Sequence, residues 1–461
     1  MEKKASYKGN KYWLAACVLL LVFSSCSVQQ QIAKSAKAEV LNNAALQTAH
    51  VGISIYDPAA NKYLYNYQGD KYFVPASNTK IPTCYAAMKY LGDSLVGLRY
   101  EKMNEEINIL GTGDPTFLHG DFKNQLVFEF LKKSKKVNYL LDAIPSGFSP
   151  LGNGWAWNDY PNEYAVERSE MPIYGNVVKF YIEGDTVTVA PRYFYNHSIQ
   201  WLNRTIKNGV GLWFRITRPY EENSFHGLNS ASMYKSKTKF SSQSVPFKTI
   251  SNSTLSSMGQ TFLKLLEDTL QKKIDYWSYV DAKPLLKKTI HSQPTDSLLK
   301  PMMHRSDNFF AEQSLLMVSN ETLGYMNDEK IIDTILKTDF KDLPQKPRWA
   351  DGSGLSRYNL FTPQDFVAIL NKMKNEFGME RLKIIFPTGG EGTISNYYKA
   401  DSGYIYAKTG TLSGVVAFSG YLYTKKGKLL IFSTLVNNHQ AIAAEIRKAI
   451  EKFLQRVRSE F

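Results

Sequence analysis

The sequence predicts an α/β protein in which an antiparallel sheet flanked by helices is interrupted by a large, mainly β insertion. Two observations carry this prediction. Strand and helix patterns near the start of the chain are matched by strands and a helix at its end, and the composition changes in between. We place the interrupted domain at residues 27–92 plus 254–461 and the insertion at 93–253. A chain of 461 residues with 43% apolar content is long enough for two or three domains.

The first 26 residues differ from the rest of the chain. Four lysines precede the apolar run YWLAACVLLLVF, which is well short of the ~20 residues needed to span a bilayer as a helix. This pattern predicts a secretory signal peptide. Its end, FSSC, resembles a bacterial lipobox, in which Cys26 carries lipid and becomes the new N-terminus. A plain signal peptide cleaved nearby is the alternative.

Cysteine usage and charge both bear on location and partners. Cys17 lies in the predicted signal and Cys26 at its end, so Cys84 alone remains and cannot form an internal disulfide. Its apolar helical surroundings are typical of a small buried residue. The formal net charge is +14. For an exported chain we expect anionic polymers of the cell envelope, rather than nucleic acid, to match this charge; a well-solvated surface is the alternative.

Before the insertion, the patterns predict a hairpin and a helix. The segment HVGISIYDPAANKYLYNYQGD alternates apolar and polar residues on both sides of a turn with Pro and Asn, which indicates two paired strands. The segment SNTKIPTCYAAMKYLG has helical spacing and ends at Gly92, a helix stop. Residues 93–253 are rich in Asn, Tyr, Gly and Ser with short strand-like runs, which favours a β-rich insertion.

After the insertion, helical spacing returns in SSMGQTFLKLLEDTLQKK and NFFAEQSLLMVSNETLG. Residues 403–438 then predict three strands, with the turn KKGK between the last two. Residues 439–459 predict an amphipathic helix that packs on those strands.

Three short motifs occur in a fixed order along the chain. They are SNTK (77–80), SDN (306–308) and KTG (408–410), and the second and third are the only Ser-x-Asn and Lys-Thr-Gly in the sequence. Ser-x-x-Lys occurs four times and carries no information by itself. Taken singly, each motif also fits a helix start or an exposed strand. Together and in this order they are the pattern of the penicilloyl-serine enzymes.

The chemistry of acyl transfer explains these residue types. The Ser77 hydroxyl is a poor nucleophile until a base takes its proton, and Lys80 lies three residues further along the predicted helix. A lysine acts as a base near neutral pH when burial or a second cation lowers its pKa, and Lys408 is the candidate second cation. Ser306 can bridge the lysines and pass a proton to the leaving amine. Asn308 can hold a substrate amide and orient Lys80.

The KTG strand also predicts the substrate-binding groups. Gly410 lets substrate lie against the strand without an intervening side chain, next to Thr409. The oxyanion of a tetrahedral intermediate would be met by the backbone N–H groups of Ser77 and Thr411.

These motifs and four further segments resemble the class C low-molecular-mass penicillin-binding proteins, the D-alanyl-D-alanine carboxypeptidase/endopeptidases of serine peptidase family S13. The further segments are GTGDPTF (111–117), GWAWNDY (154–160), DGSGLSRYN (351–359) and GGEGTISN (389–396). The separation of 229 residues between Ser77 and Ser306 also matches this family, which carries a large two-part insertion there.

The resemblance implies a penicillin-binding-protein/β-lactamase-like transpeptidase domain that hydrolyses peptidoglycan stem peptides, and cross-links, through a Ser77 acyl-enzyme. It further implies β-lactams as covalent inhibitors. The N-terminal segment predicts a place in the bacterial cell envelope, the periplasm. The scattered histidines, without His-Glu-x-x-His or a Cys/His cluster, predict no metal site, and we expect no cofactor. In similar proteins an aspartate of the insertion, here Asp159, contacts the free end of a diaminopimelate side chain. The alternative is that Asp159 only stabilises a turn.

Two other functions stay open: a β-lactamase or esterase on the same fold, and a non-catalytic lipoprotein that binds peptidoglycan.

Overall fold

The computed structural model describes most of the chain after residue 27. The described ranges are 28–142, 147–183, 186–197, 199–203, 216–220, 222–229, 241–249, 261–279 and 286–460. The predicted signal peptide and Cys26 lie outside them. The chain forms two compact units. The first contains the residues up to Asn78 with Leu343–Pro347 and Leu360–Phe461, and the second contains Thr79–Asp342 with Arg348–Asn359.

Helices and strands alternate irregularly along both units. The helices are α1 (28–36), α2 (Lys80–Tyr90), α3 (Leu126–Lys133), α4 (Tyr193–His197), α5 (Thr261–Leu270), α6 (Thr295–His304), α7 (Asn308–Leu323), α8 (Asp328–Lys337), α9 (Pro363–Ile385) and α10 (Ala443–Glu460). The strands are β1 (His50–Asp57), β2 (Lys62–Tyr67), β3 (Ser94–Met103), β4 (Glu106–Leu110), β5 (Lys136–Asp142), β6 (Val177–Glu183), β7 (Thr186–Ala190), β8 (Ile199–Asn203), β9 (Ile216–Thr217), β10 (Phe225–Asn229), β11 (Ser241–Pro246), β12 (Ile274–Tyr279), β13 (Lys288–Pro294), β14 (Ile405–Leu412), β15 (Val415–Tyr423) and β16 (Leu429–Asn437).

The first unit is a five-stranded antiparallel sheet with helices on both faces. Its strand order is β14-β15-β16-β1-β2. Because successive strand residues point to opposite faces, Ile53, Phe418 and Phe432 pack on one side in a buried cluster with α1 and α10. On the other side α9 packs against β1, β15 and β16, and the Tyr421 hydroxyl donates a 2.8 Å hydrogen bond to the carbonyl of Leu370.

The second unit combines three sheets with a group of helices. A mixed five-stranded sheet has the order β12-β5-β4-β3-β13, and two three-stranded sheets have the orders β11-β6-β7 and β8-β10-β9. Leu98, Tyr139, Phe180 and Phe225 belong to its main buried cluster. Helix α7 contacts α2, α6 and α8 and is buried from residue 309 to 320. A helix enclosed on all sides in this way holds its N-terminal residues in place.

Most of the predicted elements are confirmed. The hairpin is β1 and β2, and the three C-terminal strands are β14, β15 and β16, followed by α10. Gly427 in the turn KKGK has a φ of 78°, the left-handed conformation that glycine adopts without strain. Cys84 is buried in α2. Within the described ranges, no helix combines the length and apolar content needed to cross a membrane.

The predicted start of the second helix is corrected by the structure. The sequence favours a helix from Ser77, whereas Ala76–Thr79 forms a 3₁₀ turn and α2 begins at Lys80. Ala76 has a φ of 47°, outside the right-handed helical region, so a regular α-helix does not extend through it. Pro82 lies in the first turn of α2, where a backbone N–H has no intrahelical acceptor to lose.

The packing of α10 on the first sheet predicts the effect of a core substitution. Phe453 is fully buried in the cluster under α10, so Phe453→Ala leaves a cavity and is expected to lower the free energy of unfolding by about 3–5 kcal/mol. Denaturant unfolding followed by circular dichroism measures this change. Ile442→Ala, at a position 70% exposed, is the control and should change it by less than about 0.5 kcal/mol. Equal effects of the two substitutions would contradict the described packing.

Candidate active site

The backbone around Ser77 lies directly against the KTG strand in the first unit. A Cβ added to Gly410 would come within 2.5 Å of the Pro75 carbonyl oxygen and 3.1 Å of the Asn78 backbone nitrogen. A side chain at residue 410 would therefore displace the turn that carries Ser77. Just before this turn, the Asn437 side chain accepts from the backbone N–H of Val74 (2.8 Å) and donates to its carbonyl (3.0 Å).

Asn78 fixes the same turn to the face of the sheet. Its side-chain amide donates to the Ser419 hydroxyl at 2.7 Å, and Ser419 is in turn 2.8 Å from the Ser433 hydroxyl. Ser419 pairs with Lys408 across β14 and β15. Directly opposed residues of an antiparallel pair point to the same face. The residue next to Ser77 is thus anchored beside the position of Lys408.

The KTG residues lie on β14, the edge strand of the first sheet. Lys408 is fully buried, and its Nζ donates to the Thr409 carbonyl at 2.8 Å. The Thr409 hydroxyl donates to Thr393 at 2.7 Å. The Thr411 hydroxyl accepts from the Arg447 guanidinium of α10 at 2.6 Å. Lys408 and Gly410 alternate with Thr409 and Thr411, so the lysine shares a face with the glycine that contacts the Ser77 turn.

Lys80 is held by two hydrogen bonds in the second unit. Its Nζ donates to Asn308 Oδ1 at 2.6 Å and to the Ser353 carbonyl at 2.7 Å, and the side chain is completely buried. Burial lowers the pKa of Lys80 to about 8, against the opposing effect of Asp351, Glu312 and Asp307, whose negative charges favour the ammonium form. A lysine with this pKa is about one tenth neutral at pH 7, far more than an exposed lysine.

The SDN residues form the start of α7. Asp307 is its N-cap residue, with the side chain accepting from the Phe310 N–H at 3.0 Å. Ser306 has a φ of 63°, a left-handed conformation that costs energy for a residue other than glycine. Asn308 accepts from Lys80 and donates its amide to the Tyr164 carbonyl at 2.9 Å. Both hydrogen-bonding ends of the Asn308 side chain are therefore used.

A buried charge network lies behind Lys80. Glu312, one turn after Asn308 on α7, accepts from the Ser353 N–H at 2.8 Å. Arg168 contacts Glu312 at 3.3 Å and Asp328 at 2.7 Å. Burial, together with the nearby Asp351 carboxylate, raises the pKa of Glu312 to about 7, although Arg168 opposes this shift. The network places a second titratable group close to Lys80.

The segment DGSGLSRYN forms a tight turn around the Asp351 side chain. This carboxylate accepts from the backbone N–H groups of Gly354 (2.8 Å) and Ser356 (2.7 Å) and from the Asn359 amide (2.7 Å). Trp155 of GWAWNDY donates its indole N–H to the same carboxylate at 3.0 Å. The turn fixes the carbonyl of Ser353 that accepts from Lys80.

Asp159 is connected to the SDN motif through one tyrosine. The Tyr164 hydroxyl donates to Asp159 Oδ1 at 3.0 Å, while the Tyr164 carbonyl accepts from Asn308. Asp159 lies in the short 3₁₀ turn Trp157–Asp159 and is partly exposed. This arrangement is compatible with either of its predicted roles.

Several residues of this region were not singled out by the motifs. They are Asn78, at an unspecified position of Ser-x-x-Lys, and Tyr164, Glu312 and Arg168, and each forms a hydrogen bond or ion pair to a residue distant in sequence. Glu312 carried one local signal, since it lies four residues after Asn308 on the same predicted helix face. Within each unit the structure brings predicted residues together: Lys80 with Asn308 in the second, and Gly410 with the turn of Ser77 in the first.

Comparisons with known proteins point to one family. The family model described as "D-Ala-D-Ala carboxypeptidase 3 (S13) family" matches residues 33–457. A D-alanyl-D-alanine carboxypeptidase of Actinomadura sp. (strain R39) is 26% identical over 451 residues, covering 88% of this chain and 80% of that protein.

Two solved structures are similar in fold. Penicillin binding protein 4 (dacB) from Haemophilus influenzae has a TM-score of 0.69 at 20% identity and covers 92% of this chain and 98% of that one. The same protein complexed with a β-lactam has a TM-score of 0.61 at 19% identity, with coverages of 93% and 97%. These similarities support the predicted fold class.

The buried network predicts how the pKa of Lys80 responds to substitution. Ionised Glu312 favours the charged form of Lys80, so Glu312→Gln, which keeps the acceptor for Ser353 but removes the charge, is expected to lower the pKa of Lys80 below about 8. A pH titration of the lysine Cε resonances by NMR measures this shift. Glu163→Gln, at an exposed position, is the control. An unchanged or higher pKa for Lys80 in Glu312→Gln would refute the described coupling.

Proposed function

The chain belongs to the D-Ala-D-Ala carboxypeptidase 3 (S13) family, and we propose that Ser77 is the nucleophile with which it hydrolyses D-Ala-D-Ala bonds of peptidoglycan stem peptides. The family and enzyme class predicted from the motifs are thereby confirmed. We extend the proposal to DD-endopeptidase cleavage of cross-links that end in a D-centre. The observation that supports it most directly is the buried Lys80, hydrogen-bonded to Asn308 and with a pKa of about 8.

In the proposed acylation step, neutral Lys80 takes the proton of the Ser77 hydroxyl. The two residues are separated by only Asn78 and Thr79, in a 3₁₀ turn that leads into α2, and positions three apart in such a turn lie on the same side. Ser77 Oγ then forms a bond to the scissile carbonyl carbon. The backbone N–H groups of Ser77 and Thr411 stabilise the oxyanion.

In the second part of acylation the C–N bond breaks and the leaving amine needs a proton. Ser306 passes that proton from the lysines to the amine, and Lys408 keeps the ammonium form of Lys80 unfavourable. Asn308 and Thr409 bind the substrate backbone, with Gly410 leaving room for it. Water then attacks the Ser77 ester, and the reverse proton transfers release the shortened peptide and restore the hydroxyl.

We also propose that β-lactams acylate Ser77 and deacylate slowly. The strained β-lactam amide presents the same carbonyl to the nucleophile as D-Ala-D-Ala. The solved complex of the similar Haemophilus influenzae protein with a β-lactam supports this proposal.

The location and domain limits are proposals of the same kind. Cys26 would be lipidated after signal cleavage and anchor the chain in the bacterial cell envelope, with the enzyme in the periplasm. The peptidase domain would comprise residues 27–92 plus 254–461, with 93–253 as its insertion.

Asp159 would contact the ammonium end of a diaminopimelate side chain. The support for this role is its partly exposed carboxylate near Tyr164.

The proposed nucleophile predicts a large loss of activity on substitution. Ser77→Ala is expected to lower release of D-Ala from a peptide ending in D-Ala-D-Ala by about a thousandfold or more, because no acyl-enzyme can form. Mass spectrometry of the digest follows the reaction. The control is Ser297→Ala, which removes the exposed serine of another Ser-x-x-Lys sequence and should retain full activity. Retained activity in Ser77→Ala would exclude Ser77 as the nucleophile.

Two further measurements separate the alternatives. Faster turnover of a chromogenic cephalosporin than of the D-Ala-D-Ala peptide would favour a β-lactamase on the same fold. A labelled penicillin should mark the wild type but not Ser77→Ala, and labelling of neither would favour a non-catalytic peptidoglycan-binding protein.

A further inference from the structure

A cavity in the second unit opens beside the SDN motif. Its volume is about 340 Å³, within the range of about 300–1,000 Å³ that is usual for small-molecule sites. One wall consists of the start of α7, including Ser306 and Asn308, with Arg305 before it. The rest of the lining includes the loop at His119, Glu163 and Tyr164, and Lys179 and Ser244.

Two residues of the lining lie on paired strands. Lys179 on β6 lies directly opposite Ser244 on β11 in their antiparallel register, so both side chains point to the same face. Both residues line the cavity and are partly exposed. A Cβ added to Gly120 would lie 3.6 Å from the Lys179 Nζ. The ammonium group of Lys179 is therefore next to the loop that contains His119 and Gly120.

The cavity lining contains a second cation, Arg305, which is matched by carboxylates, and one exposed carboxylate, Glu163. Arg305 forms ion pairs with Asp121 (2.5 Å) and with Asp307 (3.3 Å). His119 is buried, and burial lowers its pKa, which favours the neutral ring. Among the described parts of the chain, Lys179 has no carboxylate within ion-pair distance. Its ammonium is therefore available to an anionic ligand.

We propose that this cavity binds the leaving peptide of a cross-linked substrate, and that Lys179 binds a carboxylate of that peptide. The inference rests on the proposed function, in which Ser306 delivers a proton to the leaving amine. The chain attached to that amine must then begin within reach of Ser306, and Ser306 lines the cavity.

The size of the cavity favours a peptide over a single amino acid. A released D-alanine has six heavy atoms and fills only a small part of a space of about 340 Å³. The leaving group of a cross-link is instead a second stem peptide, whose carboxylates complement an unmatched ammonium. The cavity would thus determine how well cross-links are cleaved relative to terminal D-alanine.

The test compares two soluble substrates: a monomeric peptide ending in D-Ala-D-Ala, and a cross-linked peptide dimer joined through a D-Ala carbonyl. For each enzyme variant, the readout is the ratio of kcat/KM for the dimer to kcat/KM for the monomer. Lys179→Met, which keeps the length of the side chain but removes its charge, should lower this ratio about tenfold. Lys179→Arg should restore most of it, and the exposed Lys133→Met should leave it unchanged.

A second variant tests the space rather than the charge. Ser244→Phe adds a ring to the lining beside Lys179 and should lower the same ratio, with unchanged thermal unfolding showing that the fold is retained. A wild type that cleaves neither substrate contradicts the proposed function itself. A wild type that cleaves only the monomer, or a Lys179→Met variant with an unchanged ratio, overturns the inference about the cavity while leaving the proposed function intact.

Discussion

The chemistry proposed for this protein depends on the complete burial of one lysine. A buried ammonium is costly unless it is hydrogen-bonded, and the acceptors that meet this condition for Lys80 include the Asn308 side chain and the Ser353 carbonyl. Both acceptors are themselves fixed: Asn308 by the enclosed start of α7, and Ser353 by Glu312 and by the turn around Asp351. The cost of burial favours the neutral amine, which is the form that can act as a base.

A second constraint concerns the backbone before that lysine. Ser77 lies on a turn whose preceding residue, Ala76, is in the left-handed region, and this turn contacts the strand at the one KTG position that has no side chain. Ser306 is left-handed as well. Backbone strain of this kind persists only where surrounding contacts determine the conformation. The contacts here are the hydrogen bond of Asn78 to Ser419 and that of Asp307 to the first turn of α7. One motif serine, Ser306, and the residue just before the other are thus held in conformations that a relaxed chain would leave.

The sequence predicts the parts of the fold that have local patterns. Alternation identifies β14, β15 and β16, and the spacing in α10 identifies the helix on their face, because both periodicities follow from burial of one side. The order of three motifs identifies the family. The helix start at Lys80 is missed because residues 77–79 belong to a 3₁₀ turn, and helical spacing in a sequence does not distinguish such a turn from the first turn of an α-helix. Arg168 and Tyr164 are missed for a different reason: their partners lie about 140 residues away, and one sequence contains no information on which distant residues meet.

The pH dependence of Ser77 acylation tests the central claim, that Lys80 acts as a buried base. The measurement is the second-order rate constant for labelling of the enzyme by a fluorescent penicillin, from about pH 6 to about pH 10. If neutral Lys80 is the base, the rate constant rises about tenfold per pH unit below the pKa of about 8 and levels off above it. A rate constant that is flat across this range, or that falls as the pH rises through 8, would contradict the account.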